Sequence, residues 1–327
     1  MSEIGSVCPY TEKCMTFIMT GCDGTNHQGC PDKPDAQEPV KPVNQFKDKN
    51  ILVTGGTGSF GSAFAKHLSI DPPEKLIIFS TGWERQDALR NELGNPTWAR
   101  WFIGNVRDYD RLYQAFEDVD IVIHAAAIKC IETCEKDPEE ALKTNVIGTQ
   151  NVIRAALNRN VGKVLLISTD KACEPCNTYG ASKALAERLI TNANNYKGSK
   201  DVRFSVVRYG NVIGSNGSVI PKWRKMIADG VNELPVTDAN MTRFFYPMQD
   251  AVQFVIDALN KMRGGEVYIP RIPSVRIVDL AAALGMPYKI VGIRPGEKIH
   301  ESLEPGYDSG SNPEFLNVER IKELIKA

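Results

Sequence analysis

Three features are missing from this chain, and each absence narrows what it can be. No apolar stretch approaches the roughly 20 residues a membrane-spanning helix requires. The stretch from Met15 to Met19 is far too short and lacks a preceding basic region, so neither a signal segment nor a membrane anchor is expected. Basic charge is not in excess: 39 Lys and Arg face 40 Asp and Glu, a formal net charge of -1. Without a basic run there is no electrostatic footprint for nucleic acid or an anionic membrane. Internal repeats are absent too, which argues against solenoids and propellers. What is present suits an ordinary soluble globular protein acting on small molecules: 327 residues, 42% hydrophobic and 24% charged, enough to bury a sizeable core in one large or two interlocked domains. A cytoplasmic location is expected.

Eight cysteines fall into two groups. Cys8, Cys14, Cys22 and Cys30 lie with His27 in a Gly-, Pro- and polar-rich leader whose spacings match no standard zinc pattern. Residues 1–47 therefore read as a Cys-rich, flexible extension punctuated by Pro31, Pro34, Pro39 and Pro42. Cys130, Cys134, Cys173 and Cys176 follow expected strands and read as loop or buried thiols rather than a metal site.

From Asn50 the chain alternates short apolar runs with helical stretches, the pattern of a parallel sheet with crossover helices. Strands are expected at Ile51 to Thr54, Leu76 to Phe79, Ala99 to Ile103, Ile121 to His124, Val164 to Ser168 and Phe204 to Arg208. Helices are expected at Ser59 to Ser69, Asp108 to Phe116, Pro138 to Asn158 and Thr178 to Asn195, and later at Gln249 to Met262 and Val275 to Leu284. The fold class is α/β, a doubly wound parallel sheet of Rossmann type. Residues 48–210 form the dinucleotide-binding domain, and 211–327 form a smaller substrate lobe interleaved with it.

A glycine-rich turn, Thr54-Gly55-Gly56-Thr57-Gly58-Ser59-Phe60-Gly61, joins the first strand to the first helix. Gly56 and Gly58 let the backbone approach a pyrophosphate, Gly61 permits close helix packing, and the helix start supplies N-H groups. The second strand ends in Ser80 and Thr81 rather than the carboxylate that binds a ribose diol, with Arg85 close behind. NADP is thus favoured, with NAD the alternative.

Two sets of acid and base groups then stand side by side. Tyr179 and Lys183, four apart, share a helix face, and an ammonium beside a phenol favours the phenolate that a base needs. Asp170 and Lys171, just after the fifth strand, form a second couple that simple hydride transfer does not require. Alcohol oxidation followed by elimination does require it.

These motifs, with His124-Ala125-Ala126-Ala127, Lys143-Thr144-Asn145, Arg208-Tyr209-Gly210-Asn211-Val212, Met241-Thr242-Arg243-Phe244 and Arg294-Pro295-Gly296-Glu297-Lys298, resemble an established family. From about Lys49 onward the chain is similar to extended short-chain dehydrogenase/reductases, and within them to the inverting UDP-N-acetylglucosamine 4,6-dehydratases of pseudaminic acid biosynthesis. The resemblance implies that Tyr179 takes the proton of the sugar 4-hydroxyl, Lys183 holds the ribose and lowers the tyrosine pKa, and Thr169 bonds the developing ketone. Lys171 would be the base at carbon 5 and Asp170 the acid at the departing 6-hydroxyl, which requires a lowered pKa for the first and a raised one for the second.

The resemblance also implies a cofactor site of Gly55, Gly58, Ser59, Phe60, Gly61, Ser80, Thr81, Arg85, Asn105, Val106, Ala125 and Ala126, together with Tyr179 and Lys183. Lys129, Arg208, Asn211, Arg243, Arg294 and Glu297 would contact the UDP-sugar, no metal is implied, and a homo-oligomer built through the long helices is expected. His124 reads as a satisfied core histidine. Against the family, Asn105 stands where an aspartate is usual, Thr81 replaces an arginine, and Asn216 replaces another. A UDP-hexose 4-epimerase is the nearest alternative function, and a non-catalytic dinucleotide-binding regulatory protein the next.

Overall fold

A computed structural model describes residues 45–326. The leader and its four cysteines lie outside the described residues, except for its last positions. Residues Asn44–Ala327 make one compact unit.

Six strands lie where apolar runs predict them: β1 (Asn50–Thr54), β2 (Lys75–Ser80), β3 (Ala99–Ile103), β4 (Ile121–His124), β5 (Lys163–Thr169) and β6 (Arg203–Tyr209). A short strand, Val267–Tyr268, completes a seven-stranded sheet by pairing parallel to β6, and the order is Val267–Tyr268, β6, β5, β4, β1, β2, β3. Every pairing in this sheet is parallel, with Ile51 opposite both Leu76 and Ile121. The order reverses at β1, which leaves a crevice at the carboxyl ends of β1 and β4, where open α/β sheets bind dinucleotides.

Strand alternation builds a core on each face. Ile51 and Val53 join Phe64, Leu76 and Val255 on one side, whereas Leu52 packs with Ile77, Phe116, Ile190 and Phe204 on the other. A third cluster, including Trp223, Leu234, Met241, Phe245 and Leu280, packs the later part of the chain. The helix Met248–Lys261 returns to the main sheet, since its Val252, Val255 and Leu259 belong to the first core.

The structure departs from the expected elements in several places. The long helix from Pro138 is regular only at Pro138–Ala141 and Gly148–Arg159, with a π-helical turn at Leu142–Ile147 between them. Helices at Trp83–Glu92 and Ile131–Lys136 carry no strong apolar periodicity and escape a pattern reading. Val275 lies in a strand, Ser274–Arg276, and the helix begins only at Ile277. No helix among the described residues is long and apolar enough to cross a membrane.

Gly61 packs the first helix closely against the glycine turn. A Cβ there would lie 2.6 Å from both Cα and O of Gly56, against backbone that has no room to move aside. Gly61→Ala is expected to cost about 1–3 kcal/mol by overpacking, read as a lower urea midpoint; an unchanged midpoint would show that the turn yields freely.

Candidate active site

The glycine turn has the geometry a dinucleotide requires. Gly55 adopts φ +65°, and a Cβ on it would meet the Ala126 backbone at 2.9 Å, so only glycine fits. The helix Ser59–Leu68 starts at Gly58 with no side-chain cap, leaving its amide dipoles to face an anion. A diphosphate fits this cradle. Ser59 Oγ also accepts a hydrogen bond from Asn216 N at 2.8 Å, which draws the 214–218 loop over the helix start.

Other expected cofactor residues divide by exposure. Ala125 N and Ala126 N donate to Thr54 O and Oγ1, which holds the end of β4 against the turn. Phe60 is buried and stacked on Phe64 with 5.8 Å between ring centres, so its side chain belongs to the core. Ser80 Oγ accepts from Gln86 Nε2. Thr81 and Arg85 are exposed, and a Cβ on Gly82 would lie 3.1 Å from Arg85 Nε, so the guanidinium sits beside the end of β2. Val106 is buried, whereas Asn105 is exposed and uses Oδ1 to accept from Arg107 N.

His124 is a satisfied core histidine. Its ring contacts Thr54 Oγ1 at 2.7 Å and Thr149 Oγ1 at 3.0 Å. Burial, aided by the Lys183 charge, pushes it down to about 3 and keeps it neutral.

Both sets of acid and base groups meet at the end of β5. Asn177 caps the helix Thr178–Tyr196 by accepting from Gly180 N at 2.7 Å. Gly180 is obligatory because a Cβ there would lie 2.2 Å from Lys171 O. Tyr179 and Lys183 are 8% and 3% exposed. Lys183 Nζ donates to Ile167 O at 2.7 Å, and burial, only partly opposed by Glu187, lowers its pKa to about 8. Tyr179 bonds the Thr169 hydroxyl; burial pushes its phenol up to about 12, and the charge that offsets burial belongs to Lys171. The expected lowering of the tyrosine by Lys183 is therefore corrected: in this state Lys171 fills that role.

Asp170–Ala172 forms a single 3-10 turn. Asp170 is fully buried; its Oδ1 accepts from Thr169 Oγ1 and from Lys171 Nζ, each at 2.9 Å. Lys171 is also 3.5 Å from Glu301 Oε1. Burial disfavours its ammonium, but Asp170 and Glu301 outweigh that, so its pKa lies above the ordinary lysine range. A lowered pKa was expected, and the two carboxylates are the reason it does not occur. Asp170 Oδ2, Glu301 Oε2, Ser168 Oγ and Asn211 Oδ1 are buried without a hydrogen-bond partner, a set of open polar atoms that suits a site awaiting a polar ligand.

The expected substrate residues are not all available. Arg208 is held by Glu187, with Nε to Oε1 at 3.0 Å, and by Leu303 O at 2.6 Å. Arg243 donates to the carbonyls of Thr242, Lys298 and Ile299 and lies 4.0 Å from Glu301. Both guanidinium groups, expected to contact the UDP-sugar, fasten the 298–303 segment to the sheet in this structure. Asn211 faces the site with an open oxygen, Lys129 is exposed after β4, and Arg294 is exposed and paired with Glu297.

The 294–298 segment also explains the Cys173 to Cys176 loop. Lys298 Nζ donates to Cys173 O at 3.1 Å, and Asn177 Nδ2 donates to Gly296 O at 2.7 Å. Cys130 and Cys176 are exposed thiols, and Cys134 and Cys173 are buried ones. Among the described residues no group of three or more His, Cys, Asp or Glu is placed to hold a metal. Sequence reasoning missed Glu301, which stands beyond the Arg294 to Lys298 motif; its carboxylate becomes informative only once folding brings it to Lys171.

The parallel sheet, the glycine turn and the Tyr179–Lys183 pair make this a Rossmann-fold enzyme of the extended short-chain dehydrogenase/reductase class. Residues 51–323 match the family described as polysaccharide biosynthesis protein, and the chain belongs to it. Over 284 residues, 86% of this chain and 85% of the relative, it is 48% identical to the UDP-N-acetylglucosamine 4,6-dehydratase (inverting) of Campylobacter jejuni subsp. jejuni. It is also 42% identical over 286 residues, 84% of this chain and 83% of the relative, to the UDP-glucose 4-epimerase of Rickettsia akari. Among solved structures, Pen from Bacillus thuringiensis superposes with a TM-score of 0.81 at 35% identity, covering 86% of this chain and 99% of that one.

The Lys183 burial gives a pH-dependent expectation. An unfolded lysine titrates near the ordinary 10.5 and the buried one near 8, so the folded state bears the full cost of the ammonium below pH 8 and none above 10.5. Lys183→Met should therefore raise stability by about 1–3 kcal/mol at neutral pH. That gain should shrink as denaturation is repeated at rising pH. A gain independent of pH would contradict the buried charge.

Proposed function

We propose that the chain is a UDP-N-acetylglucosamine 4,6-dehydratase: it oxidises carbon 4, eliminates water across carbons 5 and 6, and yields a 4-keto-6-deoxy UDP-sugar, with inversion at carbon 5. The observation that carries this reading is the buried Thr169–Asp170–Lys171 turn beside Tyr179. An epimerase needs the tyrosine and lysine but has no use for a second acid and base. The name of the Campylobacter jejuni relative supports both the substrate and the inversion.

The dinucleotide, when bound, supplies the redox chemistry, accepting hydride from carbon 4 and returning it to carbon 6. Tyr179 as phenolate, the form that the Lys171 charge favours, receives the 4-hydroxyl proton, and Thr169, already bonded to it, is placed to hold the ketone oxygen. The ketone acidifies carbon 5, after which Lys171 removes that proton and Asp170 protonates the departing 6-hydroxyl; as hydride returns to carbon 6, a solvent-derived proton completes carbon 5 on the opposite face. Asn211, Lys129 and Arg294 contact the UDP-sugar; Glu297 orients Arg294. Arg208 and Arg243 hold the loop that closes the site.

NADP is the favoured cofactor because β2 ends without a carboxylate and Arg85 stands beside that end, where a ribose phosphate would sit. Exposed Leu142, Ile147 and Leu185 on the two long helices support a homo-oligomer. The free thiols among the described residues support the expected cytoplasmic location. A role in pseudaminic acid formation follows from the proposed product.

Purified protein should convert UDP-N-acetylglucosamine to a 4-keto-6-deoxy product that carries solvent deuterium at carbon 5 when the reaction is run in deuterated water and read by NMR. Denaturation should release NADP. Recovery of UDP-N-acetylgalactosamine without water loss would replace this reading with the epimerase one, for which the Rickettsia akari relative is the specific support.

A further inference from the structure

Lys171 has a second carboxylate that the reaction scheme above leaves unused. Glu301 is 3% exposed, and its Oε1 lies 3.5 Å from Lys171 Nζ and 4.0 Å from Arg243 Nε. Its backbone is clamped on both sides: Glu301 N donates to Ser309 Oγ at 2.9 Å, and Ser309 N donates to Glu301 O at 2.8 Å. Ser309 Oγ is in turn 2.8 Å from Thr242 Oγ1. The side chain is thus held inward, and Oε2 is buried with no partner. A carboxylate kept only to anchor Arg243 would be redundant, because three backbone carbonyls already take that guanidinium. Leaving a buried carboxylate oxygen open costs about 1–3 kcal/mol or more, which points to a role in the site rather than in the fold.

We propose that Glu301 is a positioning residue for the elimination, holding the Lys171 ammonium in a second ion pair beside Asp170 and so setting when Lys171 becomes a base. The proposal rests on the dehydratase reading. Four groups face Lys171: Asp170 and Glu301 favour its charge, Arg243 opposes it, and the Tyr179 phenol adjoins it. Elimination needs Lys171 as an amine, so its ammonium must first give a proton to solvent. The amine then takes the carbon-5 proton and hands it across the 2.9 Å contact to Asp170 Oδ1, and Asp170 passes it to the 6-hydroxyl, which leaves as water. Lys171 ends as amine and Asp170 as carboxylate, as they stood before the carbon-5 proton was taken. The Glu301 carboxylate holds the ammonium against that first loss.

Removing the Glu301 charge should therefore let Lys171 deprotonate at lower pH. The test is Glu301→Gln, comparing the pH profile of 4-keto-6-deoxy product formation with wild type, while the single-turnover rise of reduced nicotinamide reports carbon-4 oxidation. The rising limb of the variant should move to lower pH by about one unit or more, and oxidation should stay within roughly twofold of wild type. Glu301→Asp, which keeps the charge but retracts it, should shift the limb by an intermediate amount; where Gln does not keep its fold, this variant decides the matter. Superimposable limbs, or an equal loss of oxidation and product formation, would overturn the proposal. A wild type that makes no 4-keto-6-deoxy product would instead bring down the dehydratase reading, and the role of Glu301 with it.

Discussion

A lysine and two carboxylates cannot stay charged out of water unless they hold one another, and this requirement organises the site. Asp170 is fully buried, Glu301 nearly so, and Lys171 lies between them. Removing Lys171 would leave the Asp170 carboxylate without its ion-pair partner, and an unpaired buried charge costs several kcal/mol. The surrounding structure serves this arrangement. Thr169 bonds Asp170 from one side, Gly180 leaves space for the Lys171 carbonyl, and Arg243 ties the 298–301 segment in place. The segment that delivers Glu301 lies at the far end of the chain from the glycine turn, so the site is complete only when distant stretches of one unit have come together.

The sheet explains why two chemistries can share one cleft. Parallel strands all present their carboxyl ends to the same edge, so the glycine turn after β1, the Ala125–Ala126 step after β4 and the charged turn after β5 open together. The Thr178–Tyr196 helix then lays Tyr179 and Lys183 across that edge. The phenol touches Thr169 while the ammonium reaches back to Ile167 O, and Lys171 supplies the field on the phenol. Oxidation and elimination are thereby coupled through shared neighbours rather than merely placed side by side.

Much of this is legible in the sequence because it is local. The strands of the main sheet are short, continuous apolar runs, and the glycine turn, Tyr179 with Lys183, and Asp170 with Lys171 each lie within a few residues. What escapes is non-local or lacks periodicity. The Trp83–Glu92 helix buries only Gln86 and Leu89, too little to show a stripe. The π-helical turn at Leu142–Ile147 reflects tertiary packing: Asn145 binds Ile128 and Ser182 there. Arg208 and Arg243 look like diphosphate ligands by type, but their partners at Glu187, Leu303 and 298–299 come from distant positions. Glu301 is hidden for the same reason, and with it the high affinity of Lys171 for its proton.

The central claim is that the Asp170–Lys171 couple separates dehydration from simple oxidation. Its most direct test is a single turnover of the Asp170→Asn, Lys171→Ala double variant with UDP-N-acetylglucosamine, followed by nicotinamide absorbance and product NMR. The account predicts that reduced cofactor accumulates, more slowly than in wild type because the Lys171 charge beside Tyr179 is gone, while no water is lost. Normal formation of a 4-keto-6-deoxy product by that variant would contradict it.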